Sequence, residues 1–446
     1  MNERKGQWST KLGFILSSAG AAIGLGAIWK LPYVTGTSGG GAFFLLFVLF
    51  TLAIGLPMLI AEFIIGRGTQ KEAVSAYKKL APRTAWTWIG RLGVVGCFLL
   101  LSFYSVIGGW IAVYTGKALV GQIITPSLDA SALFGEVTGS PMMTIVGLII
   151  FTLFNVLVVG LGIQNGIEKA NKVMMPLLFI FFVILVVRAL TLPGAMEGVS
   201  FFLKPDFSAI TFQAVLYALG QAFFALAVGF SCMVTYSSYL KKNESLPYAA
   251  GSVVLMNIFV SLLAGLAIFP VVFSFGLKAS EGPGLLFVVL PTVFQQLPFG
   301  ELFFALFLLL FLFATLTSSF SLYEIIVAAL QEKYPNARKK ITWFLGVIVI
   351  VAAIPAALSS SKLADFHVFG KTVFDATDFL VSNVLLPLGN LCIALFIMYK
   401  VDKNFTKREF LASSQLSTGW YTLWRTLMYT VVPIVIIVVM FFLIKS

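Results

Sequence analysis

The chain has 446 residues, of which 59% are hydrophobic and 11% charged, and its mean hydropathy is +0.99. That balance excludes a soluble globular domain. The net charge of +12 does not indicate nucleic acid, because the basic residues sit in short connections between apolar runs rather than on one polar face. Cys97, Cys232 and Cys392 lie far apart in apolar segments and His367 is the sole histidine, which argues against a disulfide framework, a metal cluster and a His-based zinc or haem centre; no organic cofactor is expected.

A membrane span needs about 20 apolar residues. Eleven such stretches are predicted, over 12–36, 41–66, 89–119, 142–161, 166–190, 209–239, 248–276, 298–330, 341–359, 375–399 and 420–444. With the N-terminus in the cytoplasm, 22 of the 30 Lys and Arg residues fall on the cytoplasmic side. The positive-inside rule therefore orients a multi-pass protein of the cell membrane, and an odd span count places the C-terminus outside.

The first span contains Gly20-Ala21-Ala22-Ile23-Gly24-Leu25-Gly26-Ala27. Each interior glycine costs a helix about 1 kcal/mol relative to alanine. Two readings fit: a break that lines a cavity, or a close helix–helix contact through small residues. In the second span Glu62 is an intramembrane carboxylate with Arg67 nearby as a partner. In the fifth, Gly166 and Pro176 imply either a proline kink or a local unwinding that admits water.

The sixth span is weakened in the same way, by Gly229 and Ser231. Spans one and six are corresponding members of two five-span halves, 1–190 and 209–399, with 420–444 left as a peripheral helix. Paired interruptions at matching positions mark an inverted-repeat transporter and favour the break in span one. A broken helix offers N–H groups to a carboxylate and carbonyls to a hard cation such as sodium.

Span eight adds hydroxyls at Thr315, Thr317, Ser318 and Ser319. They back-bond to carbonyls one turn earlier or ligate a monovalent cation; beside two broken helices, the second reading is the better one. Lys30 and Asp378 end spans one and ten on the outer side, where they either form a gate or snorkel apart. Gly24 brings no carboxylate, so an amine lacks a counter-ion there, whereas an amino acid supplies its own carboxylate.

Trp8, the Gly20–Pro32 run, Gly39-Gly40-Gly41-Ala42-Phe43, Pro57 with Glu62 and Gly66-Arg67, Gln221-Ala222-Phe223-Phe224 and Thr317-Ser318-Ser319 together resemble the neurotransmitter:sodium symporters. The resemblance implies an all-α LeuT-type fold with eleven transmembrane helices, of which helices 1 and 6 are broken. It also implies sodium-driven uptake of aliphatic and aromatic L-amino acids by alternating access.

By that resemblance one sodium site uses the carbonyls of Gly20, Ile23 and Ala314 with the hydroxyls of Thr317 and Ser318. A second uses the Ala22 and Ala225 carbonyls, the Asn257 side chain and the substrate carboxylate. Substrate is surrounded by Ala22, Gly24, Gly26, Leu100, Tyr104, Phe224, Ala227, Phe230, Ser318 and Leu322, with Gly24 and Gly229 leaving room. Tyr104 and Phe230 close the pocket from outside, beneath Lys30 and Asp378. Lys5, Trp8, Tyr239 and Glu332 form the inner gate, and unwinding at Gly166 and Pro176 opens the way inward.

Ala27 and Ala225 replace side-chain oxygens common in the family, so one or two sodium ions are expected. Phe47 and Ala225 lack the hydroxyls near which animal members bind chloride, although Gln221 and Ser261 remain, so chloride independence is expected. A proton-coupled amino acid transporter of similar fold is the alternative; it lacks the span-eight hydroxyl pair. No filter motif supports a channel, and no His/Asp/Glu or Ser/Lys constellation at depth supports an enzyme.

Overall fold

The computed structural model describes residues 6–125, 127, 129–276 and 285–445. Lys5, expected in the inner gate, lies outside the described residues. The chain begins with α1 (Lys11–Ala22) and α2 (Gly26–Thr37), two pieces of one apolar run bent by 53°. Then come α3 (Gly41–Thr69), α4 (Ala85–Leu119), α5 (Pro141–Gly160) and α6 (Ile163–Leu190). After α7 (Phe212–Phe224) and α8 (Cys232–Ser237) follow α9 (Leu246–Ser274), α10 (Gly300–Gln331), α11 (Arg338–Ala357), α12 (Val373–Tyr399) and α13 (Thr418–Phe442).

Nine of these described helices are individually long and apolar enough to cross a membrane, and the α1–α2 pair makes a tenth. The sixth stretch, expected over 209–239, is instead two pieces, each too short to cross. Its interruption is what removes it from a count by length. α10 packs against α4, α6 and α1, so the hydroxyl-bearing helix runs through the middle of the bundle. Long apolar residues on α5, α6, α11 and α13 remain exposed, as a lipid-facing surface requires.

Both breaks follow from local backbone chemistry. At Ile23 the chain leaves the helix (φ −89°, ψ 83°), and α2 restarts with π winding over Gly26–Lys30. After α7, Ala227, Gly229 and Ser231 all have positive φ (51°, 105° and 60°). Only glycine adopts such angles without penalty; each L-residue there costs roughly 1–2 kcal/mol. The fully buried Glu62 on α3 offsets that strain by accepting from Gly229 N at 2.7 Å and Val234 N at 3.3 Å.

Glu62 therefore does not pair with Arg67, as its sequence neighbourhood suggested. Arg67 bonds the Glu409 carboxylate at 2.9 Å and the carbonyls of Glu409 and Glu244. Spacing along α3 placed these two charges together, but the backbone N–H groups of another helix compete better for the buried carboxylate.

Candidate functional site

The two breaks enclose a cavity of about 50 Å³. All ten residues expected around a substrate line it. So do Ala21, Leu25, Cys232, Ser321, Val381 and Leu386, which sequence reasoning missed. Ser321 lies one helical turn beyond Thr317 and Ser318, a spacing that signals a shared face. Val381 and Leu386 carry no such signal; only the docking of α12 brings them in.

The lining contains no charged residue. The N-terminus of α2 is its anion-attracting feature; no side chain caps it, although the Ala27 and Ile28 N–H groups bond Gly24 O. Gly24 does not leave spare room. A methyl group there would overlap the Ser318 hydroxyl and stand 2.9 Å from the Tyr104 oxygen. At Gly26 it would lie 2.6 Å from the Phe224 ring. Gly229 does not line this cavity; a side-chain carbon there would run into the Asn390 amide instead. Glycine at 24 and 26 permits close approach of side chains to the broken backbone rather than a wider pocket.

Below the cavity, oxygens converge. Ser318 Oγ donates to Gly20 O at 3.0 Å and Ala21 O at 3.1 Å, and Thr317 Oγ1 donates to Ala314 O at 3.0 Å. Ile23, at the helix exit, has its carbonyl turned off the α1 ladder by its ψ of 83°. A hydroxyl keeps its lone pairs when it donates, so each can face a cation together with its carbonyl neighbour. Asn257 Nδ2 reaches Ala225 O at 2.7 Å and Ala22 O at 3.4 Å, while its buried Oδ1 has no hydrogen-bond partner. Turning the amide over sets Oδ1 beside both carbonyls. No group of three or more His, Cys, Asp or Glu side chains that could hold a metal ion exists among the described residues. Neutral oxygens of this kind suit a hard monovalent cation.

Residues 5–126 and 136–446 match the sodium:neurotransmitter symporter family. The chain belongs to that family. It is 54% identical over 441 residues to the sodium-dependent transporter YhdH of Bacillus subtilis, covering 98% of both chains. The crystal structure of MhsT in complex with L-phenylalanine matches with a TM-score of 0.91 at 39% identity, over 98% of this chain and 99% of that one. The human sodium- and chloride-dependent GABA transporter 2 is 27% identical over 383 residues, 75% of this chain and 63% of that one. This symporter is thus a sodium-dependent, multi-pass membrane transporter of LeuT-type fold, and not an enzyme.

In this symporter the cavity leads past Leu25, Tyr104 and Phe224 into a compartment of about 210 Å³, next to a vestibule of about 670 Å³. Phe224 lines all three spaces, whereas Phe230 lines only the inner cavity, its ring pressed on α4 at Gly96. The aromatic partition is therefore Phe224 with Tyr104, and the expected role of Phe230 is corrected to a wall. The break explains the exchange: Phe224 ends α7 on the vestibule side, whereas Phe230 lies within the non-helical stretch before α8. Phe224→Ala is expected to speed substrate dissociation about tenfold, for a loss of about 1.5 kcal/mol of apolar cover. Washout of labelled substrate from purified transporter measures this, and an unchanged rate removes Phe224 from the partition.

Lys30 and Asp378 both line the vestibule, yet make no ion pair with each other. Lys30 Nζ lies 5.2 Å from the Phe224 ring centre, and Asp378 accepts from Ser382 Oγ at 2.7 Å. The opposite end is sealed. Trp8 is buried, bonding Tyr236 O through Nε1 at 2.9 Å and Tyr239 O through its backbone N at 3.3 Å. Tyr239 donates to Glu324 at 2.7 Å, and Glu324 pairs with Arg338. Glu332 pairs with Lys71 at 2.6 Å where both are part-exposed, whereas Glu324–Arg338 joins Arg67–Glu409 as a buried charge pair at this end. An acid inside an apolar span was the available signal for Glu324. The stretch from Gly166 to Pro176 is wound in this structure, as π helix over Ile163–Glu168 and α helix through Pro176.

Proposed function

We propose that this symporter imports aliphatic and aromatic L-amino acids into the cytoplasm, driven by one or two sodium ions and without chloride. The observation that carries this reading is an uncharged, largely apolar cavity placed between the N-terminus of α2, which no side chain caps, and a cluster of neutral oxygens. An amino acid's carboxylate suits that N-terminus, and an apolar side chain suits the far wall of Leu100, Phe230 and Leu322. MhsT was crystallised in complex with L-phenylalanine, and that ligand of a similar protein supports the same chemistry here.

The site residues take the roles the family resemblance implies. Gly20, Ile23, Ala314, Thr317 and Ser318 hold one sodium ion. Ala22, Ala225, Asn257 and the substrate carboxylate hold a second, with no side-chain oxygen from Ala27 or Ala225. Chloride independence is supported by Phe47 and Ala225, which have no hydroxyl, and by Gln221, whose amide already donates to Gly26 O at 2.7 Å. The 22-to-8 division of basic residues supports a plasma-membrane protein with its N-terminus in the cytoplasm and C-terminus outside. Halves 1–190 and 209–399 work as one transporter domain, with 420–444 peripheral. Opening of Trp8, Tyr239 and the start of α6 at Gly166 and Pro176 releases the cargo inward.

Uptake into proteoliposomes tests this, using a panel of amino acids with sodium, chloride and pH gradients imposed one at a time. Inward sodium alone is expected to drive accumulation of leucine- and phenylalanine-like substrates, unchanged when gluconate replaces chloride. Accumulation under a proton gradient without sodium would establish the proton-coupled alternative. Preference for charged amino acids or simple amines would overturn the pocket reading.

A further inference from the structure

The sodium cluster has a polar seam leading away from it. α1 packs against α6. A side-chain carbon added at Gly13 would run into the Glu168 carboxylate. One added at Gly20 would lie 2.5 Å from Asn171 Oδ1, 3.0 Å from Thr317 Cβ and 3.2 Å from Met175 Sδ. Gly13, Ser17 and Gly20 recur at helical spacing, so Ser17 lies on the same face, between those two contacts.

Ser17 and Asn171 are fully buried, and the Ser17 hydroxyl and Asn171 Oδ1 have no hydrogen-bond partner. The Asn171 amide is oriented by its own helix, since Nδ2 donates to Ile167 O at 2.8 Å. The free atom facing Gly20 is therefore the oxygen. Buried oxygens without donors are costly in a membrane interior, and two on one helix–helix seam call for a ligand. The seam ends at Glu168, which accepts from Ser9 N at 2.7 Å and pairs with the part-exposed Lys172 at 2.7 Å.

We propose that Asn171 Oδ1 and Ser17 Oγ are stepping ligands for the sodium ion as it leaves the Gly20–Ser318 cluster along the α1–α6 seam toward Glu168. The inference rests on the sodium reading above. Each oxygen replaces part of the hydration shell while the ion crosses a dry contact. Neither belongs to the resting ligand set, so the two positions govern release more than equilibrium binding.

The test combines equilibrium binding of labelled leucine against sodium concentration with uptake by proteoliposomes. Asn171→Asp is expected to lower the half-saturating sodium concentration at least fivefold and slow uptake at least fivefold, because a carboxylate in the seam holds the ion. Asn171→Leu, of similar shape, is expected to keep sodium half-saturation within twofold and still slow uptake at least fivefold. A purely structural role would instead reduce the thermal midpoint and leucine binding at saturating sodium, with no gain for the aspartate.

An Asn171→Asp protein whose sodium half-saturation is unchanged or raised overturns the proposal. If that variant does not accumulate in membranes, Ser17→Ala decides: slowed uptake with unchanged sodium binding upholds the relay, and unchanged uptake overturns it. Wild-type uptake that is sodium-driven beside an unshifted Asn171→Asp defeats the relay alone. Wild-type uptake indifferent to sodium defeats the function proposed above.

Discussion

Removing both hydroxyls with Thr317→Ala and Ser318→Ala is expected to lower sodium-dependent uptake at least about 100-fold. Each hydroxyl is a neutral oxygen set against a carbonyl of the broken or unbroken backbone, Ser318 at Gly20 and Ala21, and Thr317 at Ala314. An interaction with a charged group is worth about 1.5–3 kcal/mol, so losing two costs about 3 kcal/mol or more, which is about 100-fold or more in binding. The carbonyls alone do not replace them, because they come from two different helices that Ser318 ties together, while Thr317 bonds back to Ala314 within α10. Sodium activation of uptake and sodium-dependent substrate binding are the measurements. Thr317→Ser, which keeps its oxygen, is expected to stay within a few-fold of the parent. Unchanged sodium activation in the double variant would sink this site.

Substitution at Gly24 separates geometry from charge. Gly24→Ala is expected to weaken substrate binding about tenfold, because its methyl overlaps the Ser318 hydroxyl and crowds the Tyr104 oxygen. Overpacking of that kind costs about 1–3 kcal/mol. Gly24→Asp is expected to weaken it at least about 100-fold, since two carboxylates about 4 Å apart repel by about 4 kcal/mol at an effective dielectric of 20. Binding of leucine to the two variants, compared at saturating sodium, reads the difference. Equal losses in both would mean that no substrate carboxylate sits beside position 24. A wild-type-like Gly24→Ala would mean that Ser318 and Tyr104 yield without consequence.

Glu62 and Phe230 show where linear reasoning stops. Arg67 is one turn and a residue from Glu62, yet the two find separate partners, because Gly229 in the break and Val234 on α8 bring N–H groups to the carboxylate. Phe224 and Phe230 are both aromatic and both beside the break. Their division into partition and wall depends on how the unwound turn at Ala227 and Gly229 rotates the chain, and no periodicity survives a turn that is not a helix. Glu324 was legible as an acid in an apolar helix, but its partner Arg338 arrives from α11.

By itself, the sequence determined a membrane-spanning helical bundle, the glycine-weakened first and sixth helices, and the hydroxyl run of the eighth. These are local properties: hydropathy over a helical length, the backbone cost of glycine, and oxygen-bearing side chains at one helical face. The tertiary structure alone decided which aromatic divides cavity from vestibule, that Glu62 holds the second break in place, and that Gly24 is tightly packed. It also placed Val381 and Leu386 in the wall and Asn171 against Gly20. Each of those depends on the distance between side chains on different helices. Packing sets that distance, and the order of residues along the chain does not encode it locally.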